Sequence, residues 1–175
     1  AGVDRLLLTE PLAVLDCLAL IRFAVQPEDD LNLACLLVSP FLGWDHEAIR
    51  AWNGGRAGLW AALGRAARRE PEAEEARAFL AAVLALADRV GPHQFLDTIL
   101  SGPLEGRRRL IARLGPEADD PIDELLNQAL LFEQANPPGL AGFLAWVEAD
   151  GSDVKRDAEA PAGQVRLMTI HGAKG

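Results

Sequence analysis

Residues 72–90 read EAEEARAFLAAVLALADRV, and this stretch decides the fold class. Its apolar residues recur at spacings of three and four, which is the period of one helix face. The stretch is rich in alanine and leucine, which favour helices, and Gly91-Pro92 ends the pattern. We therefore predict a helix over residues 72–90 in a mainly α-helical protein. Its predicted inward face consists of Ala76, Phe79, Leu80, Val83, Leu84 and Ala87.

The helical period continues on both sides of this segment. Thr9 is the predicted cap of the first helix and Asp45 that of the third, since both side chains can accept a backbone N–H. Leu12, Leu15, Leu18, Ile21 and Val25 form the predicted inward face of the first helix, and Leu31, Leu33, Ala34, Leu37 and Val38 that of the second. Further helices are predicted over residues 11–25, 31–38, 46–52, 59–63, 93–100, 104–114, 121–135 and 140–148.

The pattern changes near the end of the sequence. Residues 151–163 are small and polar, which predicts a linker or exposed loop, and residues 164–170 alternate as in a β-strand. One strand needs partners that the other predicted elements do not supply. We therefore expect a helical subdomain over residues 1–150, a linker over 151–163, and the start of a truncated α/β domain over 164–175.

Composition excludes several classes of protein. The 175 residues are 50% hydrophobic and 25% charged, and contain no apolar run long enough for a transmembrane helix. The N-terminus has no signal-peptide pattern, and Cys17 and Cys35 lie in apolar helical patterns typical of small buried residues. We expect a cytoplasmic protein with no membrane partner. A net charge of −9 argues against general DNA binding, but residues 160–175 contain Arg166, His171 and Lys174 and no carboxylate.

A search for self-contained catalytic motifs finds no GxxxxGK[ST], HExxH, GxSxG or CxxC, and no metal-ligand spacing. The pairs Asp29-Asp30 and Asp119-Asp120 precede predicted helices, where carboxylates stabilise the helix dipole. The run Arg107-Arg108-Arg109 fits either a solvated helix face or a phosphate contact. The four tryptophans, Trp44, Trp52, Trp60 and Trp146, fit either core anchors or base-stacking platforms.

The predicted strand leads into a small-residue turn that carries polar groups. Thr169 and His171 end the strand, and Lys174 stands between Ala173 and Gly175. A hydroxyl, an imidazole, an ammonium and exposed backbone N–H groups are suited to contacting phosphate.

Residues 165–175, VRLMTIHGAKG, resemble motif V of the superfamily 1A DNA helicases, the UvrD/Rep/PcrA group with the related AddA and RecB subunits. The family form is roughly V-x-L-M-T-[IL]-H-x-[AS]-K-G. It is matched at Val165, Leu167, Met168, Thr169, Ile170, His171, Ala173, Lys174 and Gly175.

A looser resemblance covers the first helices. Residues 8–22, 27–31 (PEDDL) and 39–43 (SPFLG) resemble successive segments of the same family. The residues of these segments are most similar to those of AddA-type helicase–nuclease subunits. The resemblance is vague between about residues 55 and 140.

This resemblance implies that residues 1–150 form a 2B-like subdomain, a helical insertion into the RecA-like domain 2A. It implies that Thr169, His171 and Lys174 bind single-stranded DNA, and that Gly172, Lys174 and Gly175 lie in the loop coupling this contact to ATP. The parent protein would be an ATP-dependent helicase of double-strand break repair and recombination, with or without an exonuclease domain. ATP and Mg²⁺ would bind the parent, and none is expected on this part.

Two positions depart from the family pattern. Gly43-Trp44-Asp45 stands where UvrD-like proteins have a duplex-contacting Gly-Ile-Gly, and Ala13 replaces the second acid of an E-x-x-E pattern. Gly43 and Arg107 to Arg109 remain the candidates for duplex contact. Two alternatives stay open: a helical module that docks a partner subunit such as an AddB-type protein without touching DNA, and a free-standing helical protein with a chance motif match.

Overall fold

The computed structural model describes residues 8–51 and 57–149. These residues are mainly α-helical, as predicted. The predicted linker over 151–163 and the predicted strand over 164–170 lie outside the described residues.

Prolines and glycines end most of the helices where the sequence predicts. The helix predicted over 72–90 is three residues shorter at its C-terminus, and a 3-10 turn over Pro116–Ala118 that was not predicted precedes the eighth helix. The helices are α1 (Leu12–Val25), α2 (Asp30–Val38), α3 (His46–Ala51), α4 (Gly58–Ala66), α5 (Pro71–Ala87), α6 (Pro92–Ser101), α7 (Gly106–Leu114), α8 (Asp119–Ala135) and α9 (Leu140–Ala149).

Side-chain caps hold two of the early helix starts. The Asp29 carboxylate accepts the Asn32 N–H at 3.0 Å, and Asp45 accepts the Ala48 N–H at 2.7 Å, which confirms Asp45 as the cap of α3. Thr9 is not the cap of α1, so that prediction was wrong. Pro11 occupies the N-cap position and its carbonyl accepts the Leu15 N–H at 3.1 Å, which leaves Thr9 two residues too early to reach the first free amides.

Helix α1 forms the centre of the fold and contacts α2, α5, α7, α8 and α9. Its predicted inward face is wrong in part: Leu18 and Ile21 are buried, whereas Leu12, Leu15 and Val25 are exposed. The helix is apolar on nearly every side, so hydrophobic period alone does not select a face. The predicted inward face of α2 is also wrong at one position, because Leu31 is exposed.

Buried polar contacts fix the helices around α1. The Asn32 side-chain amide donates to the Ala19 carbonyl at 3.0 Å, which joins α2 to α1. Asp30 accepts the Leu59 N–H at 2.7 Å and so links α2 to the start of α4. The Leu59 N–H is one of the first-turn amides that α4 leaves free, whereas the Ala19 carbonyl lies mid-helix and takes the Asn32 amide as an additional donor.

The predicted burial of the cysteines and tryptophans is confirmed only in part. Cys17 is buried, as predicted, but Cys35 is exposed because α2 buries its opposite side. Trp44, Trp60 and Trp146 are half-buried against the edge of the core, and Trp52 lies outside the described residues. The described tryptophans therefore extend the core rather than occupy its centre.

Candidate nucleic-acid interface

The predicted motif V residues cannot be placed in this site. Thr169, His171, Gly172, Lys174 and Gly175 all lie outside the described residues. The candidates for duplex contact, Gly43 and the three arginines of α7, are described.

Gly43 closes the turn that follows α2. Its N–H donates to the Ser39 carbonyl at 2.7 Å, and the next N–H, of Trp44, donates to the Leu37 carbonyl at 2.9 Å. Gly43 has φ +70°, a left-handed conformation that favours glycine. No atom lies within 4 Å of the position a Cβ would take, so the backbone angle, not crowding, requires glycine here.

Arg109 joins α7 to the same turn. Its guanidinium donates to the Phe41 carbonyl at 2.7 Å and lies 5.7 Å from the centre of the Phe79 ring. Its second nitrogen is 3.6 Å from Glu75 on α5. Gly106, one turn earlier, allows this approach, because a Cβ there would be 2.8 Å from the Ile99 carbonyl oxygen and 3.0 Å from the Phe41 ring. The structure thus brings two sequence-predicted residues, Gly43 and Arg109, to one place.

A cleft of about 340 Å³ lies between this turn and α5. Gly43, Trp44 and Arg109 line it together with three carboxylates, those of Asp45, Glu72 and Glu75. One guanidinium, already bound to a carbonyl, faces three acids. The electrostatic potential of such a cleft opposes phosphate binding, because like charges repel at short range.

Arg107 is bound within the fold. Its guanidinium contacts Asp119 and Asp123 at 2.5 Å each, which ties α7 to the start of α8, and its side chain is 25% exposed. Burial alone would lower the pKa of Arg107, but the hydrogen bonds that it donates to Asp123 and Asp119, together with the charges of these carboxylates, outweigh burial and raise the pKa. Arg107 therefore stays charged, with its charge neutralised internally.

Arg108 differs from its two neighbours. Its side chain is 78% exposed and donates to the carboxylate of Glu105, 3.0 Å away and three residues earlier. Glu105 itself has φ +51°, an uncommon conformation for a residue with a side chain. Of the predicted arginine run, Arg108 alone fits the expected solvated face; Arg107 and Arg109 are interior contacts that the sequence did not predict.

Two titratable groups lie beneath α7 on α1. Burial raises the pKa of Asp16 from 3.8 to about 6, and Arg113 partly opposes this rise. Burial, together with the nearby Asp16, raises the pKa of the Cys17 thiol, although Arg107 acts in the opposite direction. Because the thiolate is the reactive form, a thiol in this state is a packing residue.

No helix in the described part of the chain combines the length and hydrophobicity that crossing a membrane requires. Within residues 8–51 and 57–149, no three His, Cys, Asp or Glu side chains are grouped so that they could hold a metal ion.

Comparison with known proteins does not assign the chain to a family. No protein-family model matches the chain, and no curated protein is significantly similar to it.

Proposed function

We propose that the chain is part of an ATP-dependent DNA helicase of the UvrD-like superfamily 1A, of the AddA type, that acts in double-strand break repair and recombination. The observation that carries this proposal is the agreement of residues 165–175 with motif V. The helical architecture of residues 8–51 and 57–149 supports it, because the resemblance implies a helical 2B-like subdomain before that motif.

In this proposal the chain supplies DNA contact and coupling. The Thr169 hydroxyl and the His171 imidazole hydrogen-bond single-stranded DNA, and the Lys174 ammonium attracts its phosphates. Gly172 and Gly175 give the backbone of this loop the conformational freedom that coupling the DNA contact to ATP requires. Phosphoryl transfer from ATP with Mg²⁺ belongs to the parent protein, since no GxxxxGK[ST] occurs among the 175 residues.

The test uses the full-length parent protein. ATP turnover is measured against single-stranded DNA concentration for Thr169→Val, for His171→Ala and for a control, Thr98→Val on α6. Losing one hydrogen bond to a charged group changes affinity by about tenfold or more, so half-maximal stimulation should need about tenfold more DNA in the first two variants. Turnover without DNA should be unchanged.

Two results would contradict the proposal. One is an unchanged DNA requirement in both motif variants while the control behaves as the parent does. The other is ATP hydrolysis by the purified 175-residue chain, since that would need a nucleotide site that its sequence does not encode.

A second function, docking of a partner subunit such as an AddB-type protein, is favoured by the surface. The described residues carry twenty-one carboxylates against eleven arginines, a net charge of −10. Leu12 and Leu31 are 64% and 77% exposed. An acidic surface with exposed leucines suits a partner that is basic and partly apolar.

The docking hypothesis is tested by the affinity of an AddB-type subunit for the chain, measured by sedimentation. Leu31→Gln should weaken it, and Leu12→Gln tests the other exposed leucine separately. If both variants bind the subunit as the parent chain does, these leucines are not the docking surface.

A further inference from the structure

The end of α4 carries a group of exposed arginines that the sequence analysis did not single out. Arg65 lies in the last turn of α4, and Arg68 and Arg69 lie in the tight turn that follows; all three are exposed. The Arg68 N–H bonds to the Arg65 carbonyl, and the Arg69 N–H to the Ala66 carbonyl at 2.8 Å, so this turn continues the helix. Side chains three and four residues apart on such a turn are neighbours.

A fourth arginine reaches the same end of α4 from α5. The Arg77 guanidinium lies 5.2 Å from the centre of the Trp60 ring, and its Nε is 3.4 Å from where a Cβ of Gly64 would be. Trp60, Gly64 and Arg68 follow one another at four-residue spacing, so Arg77 lies along the face that leads to Arg68. Arg65, Arg68, Arg69 and Arg77 are called the α4 arginine patch below.

Within the described part of the chain, the charges of the α4 arginine patch are not neutralised by ion pairs. Among residues 8–51 and 57–149, no carboxylate lies within salt-bridge distance of these four guanidiniums. Residues 48–69 contain no Asp or Glu. The nearest acids along the chain, Glu70, Glu72 and Glu74, begin α5, where they stabilise its N-terminal dipole.

Helix capping does not account for the whole patch. The carbonyls at the end of α4 attract a cation, and Arg65, in the last turn, provides that positive charge. Further arginines within one turn repel one another, which costs stability unless an anion binds them. The contrast with α7 is direct, because Arg107 and Arg109 are held by carboxylates and a carbonyl.

We infer that the α4 arginine patch binds the phosphate backbone of duplex DNA. This rests on the proposed function for the choice of DNA as the polyanion. Guanidinium groups match phosphate oxygens in a bidentate geometry, which suits arginine over lysine. The duplex is favoured over single strands because the Trp60 ring already packs against the Arg77 guanidinium, 5.2 Å from its centre, and against the Phe23 ring, 5.4 Å away in a T-shaped arrangement, which leaves it less available to stack on a base.

The inference is tested with the 175-residue chain and a short fluorescein-labelled duplex, by anisotropy over a salt series. The test variant is Arg65→Gln/Arg68→Gln/Arg69→Gln. The control is Arg50→Gln/Arg89→Gln/Arg113→Gln, which changes the net charge equally at exposed positions elsewhere. Helical circular dichroism of both variants verifies that they fold, and Arg68→Gln alone repeats the test with the smallest change.

Three phosphate contacts predict that affinity of the unchanged chain falls about 40-fold between about 50 and about 200 mM salt. The test variant should lose about tenfold or more in affinity at low salt together with most of this salt dependence, and Arg68→Gln about a third of that dependence. The control should lose little. Equal losses in both triple variants, or no duplex binding by the unchanged chain, would overturn the inference.

Failure of this inference and failure of the helicase proposal give different results. If the patch does not bind duplex DNA, DNA-stimulated ATP turnover in the parent still depends on Thr169 and His171. If the helicase proposal is wrong, those substitutions change nothing, whatever the patch binds.

Discussion

Replacing Arg107 by glutamine tests whether the arginine run of α7 serves the fold or a ligand. The guanidinium is 25% exposed and contacts two carboxylates that are 47% and 59% exposed. A single exposed ion pair contributes up to about 1 kcal/mol, and two pairs on one half-buried guanidinium contribute about 1–2 kcal/mol. For a domain of this size that lowers Tm by about 3–6 °C.

Arg108→Gln is the matched control in the neighbouring position. Its pair with Glu105 is exposed and local, so its loss should cost no more than about 0.5 kcal/mol. Urea unfolding followed by circular dichroism measures both, and high salt should shrink the difference because it screens the exposed carboxylates. Equal destabilisation by the two variants, or a loss of duplex affinity in Arg107→Gln without loss of stability, would refute the structural role.

Three further substitutions test the packing around the site. Asp16→Asn should raise the free energy of unfolding by about 1–2 kcal/mol above pH 6. The pKa of Asp16 is raised to about 6 in the folded state, so the protein loses stability as the pH rises from about 4 through 6 and this carboxyl ionises. If the urea midpoints of the variant show the same pH profile as those of the unchanged chain, this reasoning is contradicted. Gly106→Ala should cost about 1–3 kcal/mol through its contact with the Ile99 carbonyl, whereas Gly142→Ala in α9, with only the Phe132 ring at 3.4 Å, should be neutral or stabilising by thermal unfolding. Gly43→Ala should cost about 1–2 kcal/mol because of its positive φ, and Gly43→Asn less, since asparagine tolerates that conformation; equal costs would mean that the backbone angle is not what requires glycine.

Helix boundaries were predictable because they depend on local chemistry. Proline has no backbone N–H to donate within a helix, and it disfavours a helical conformation in the residue before it. Helices are therefore separated at Ser39-Pro40, Gly91-Pro92 and Asn136-Pro137. The cap by Asp45 follows from the same local reasoning, since acceptor and amide are three residues apart.

Burial was harder to predict because it depends on partners far along the chain. In α1, five neighbouring helices decide which side is covered, and Leu12 and Val25 stay exposed although both are apolar. Cys35 shows the same effect in α2.

The contacts of the arginine run of α7 could not be predicted from the sequence. Its charge is visible in the sequence, but the partners of Arg107 are twelve and sixteen residues away, and the Phe41 carbonyl is sixty-eight residues from Arg109. The signal that could have directed attention to Arg65, Arg68 and Arg69 is the absence of acids over residues 48–69, which a search for consecutive arginines passes over.

The pairing of the first and last helices governs how this unit can be joined to other protein. Arg22 on α1 binds Glu148 on α9 at 2.7 Å, although 126 residues separate them. Leu12, where α1 begins, is ten residues from Arg22, about 15 Å along the helix. The helices that begin and end the described unit therefore pack against each other, and such a unit can be accommodated in a surface loop of a second domain without pulling that domain's strands apart.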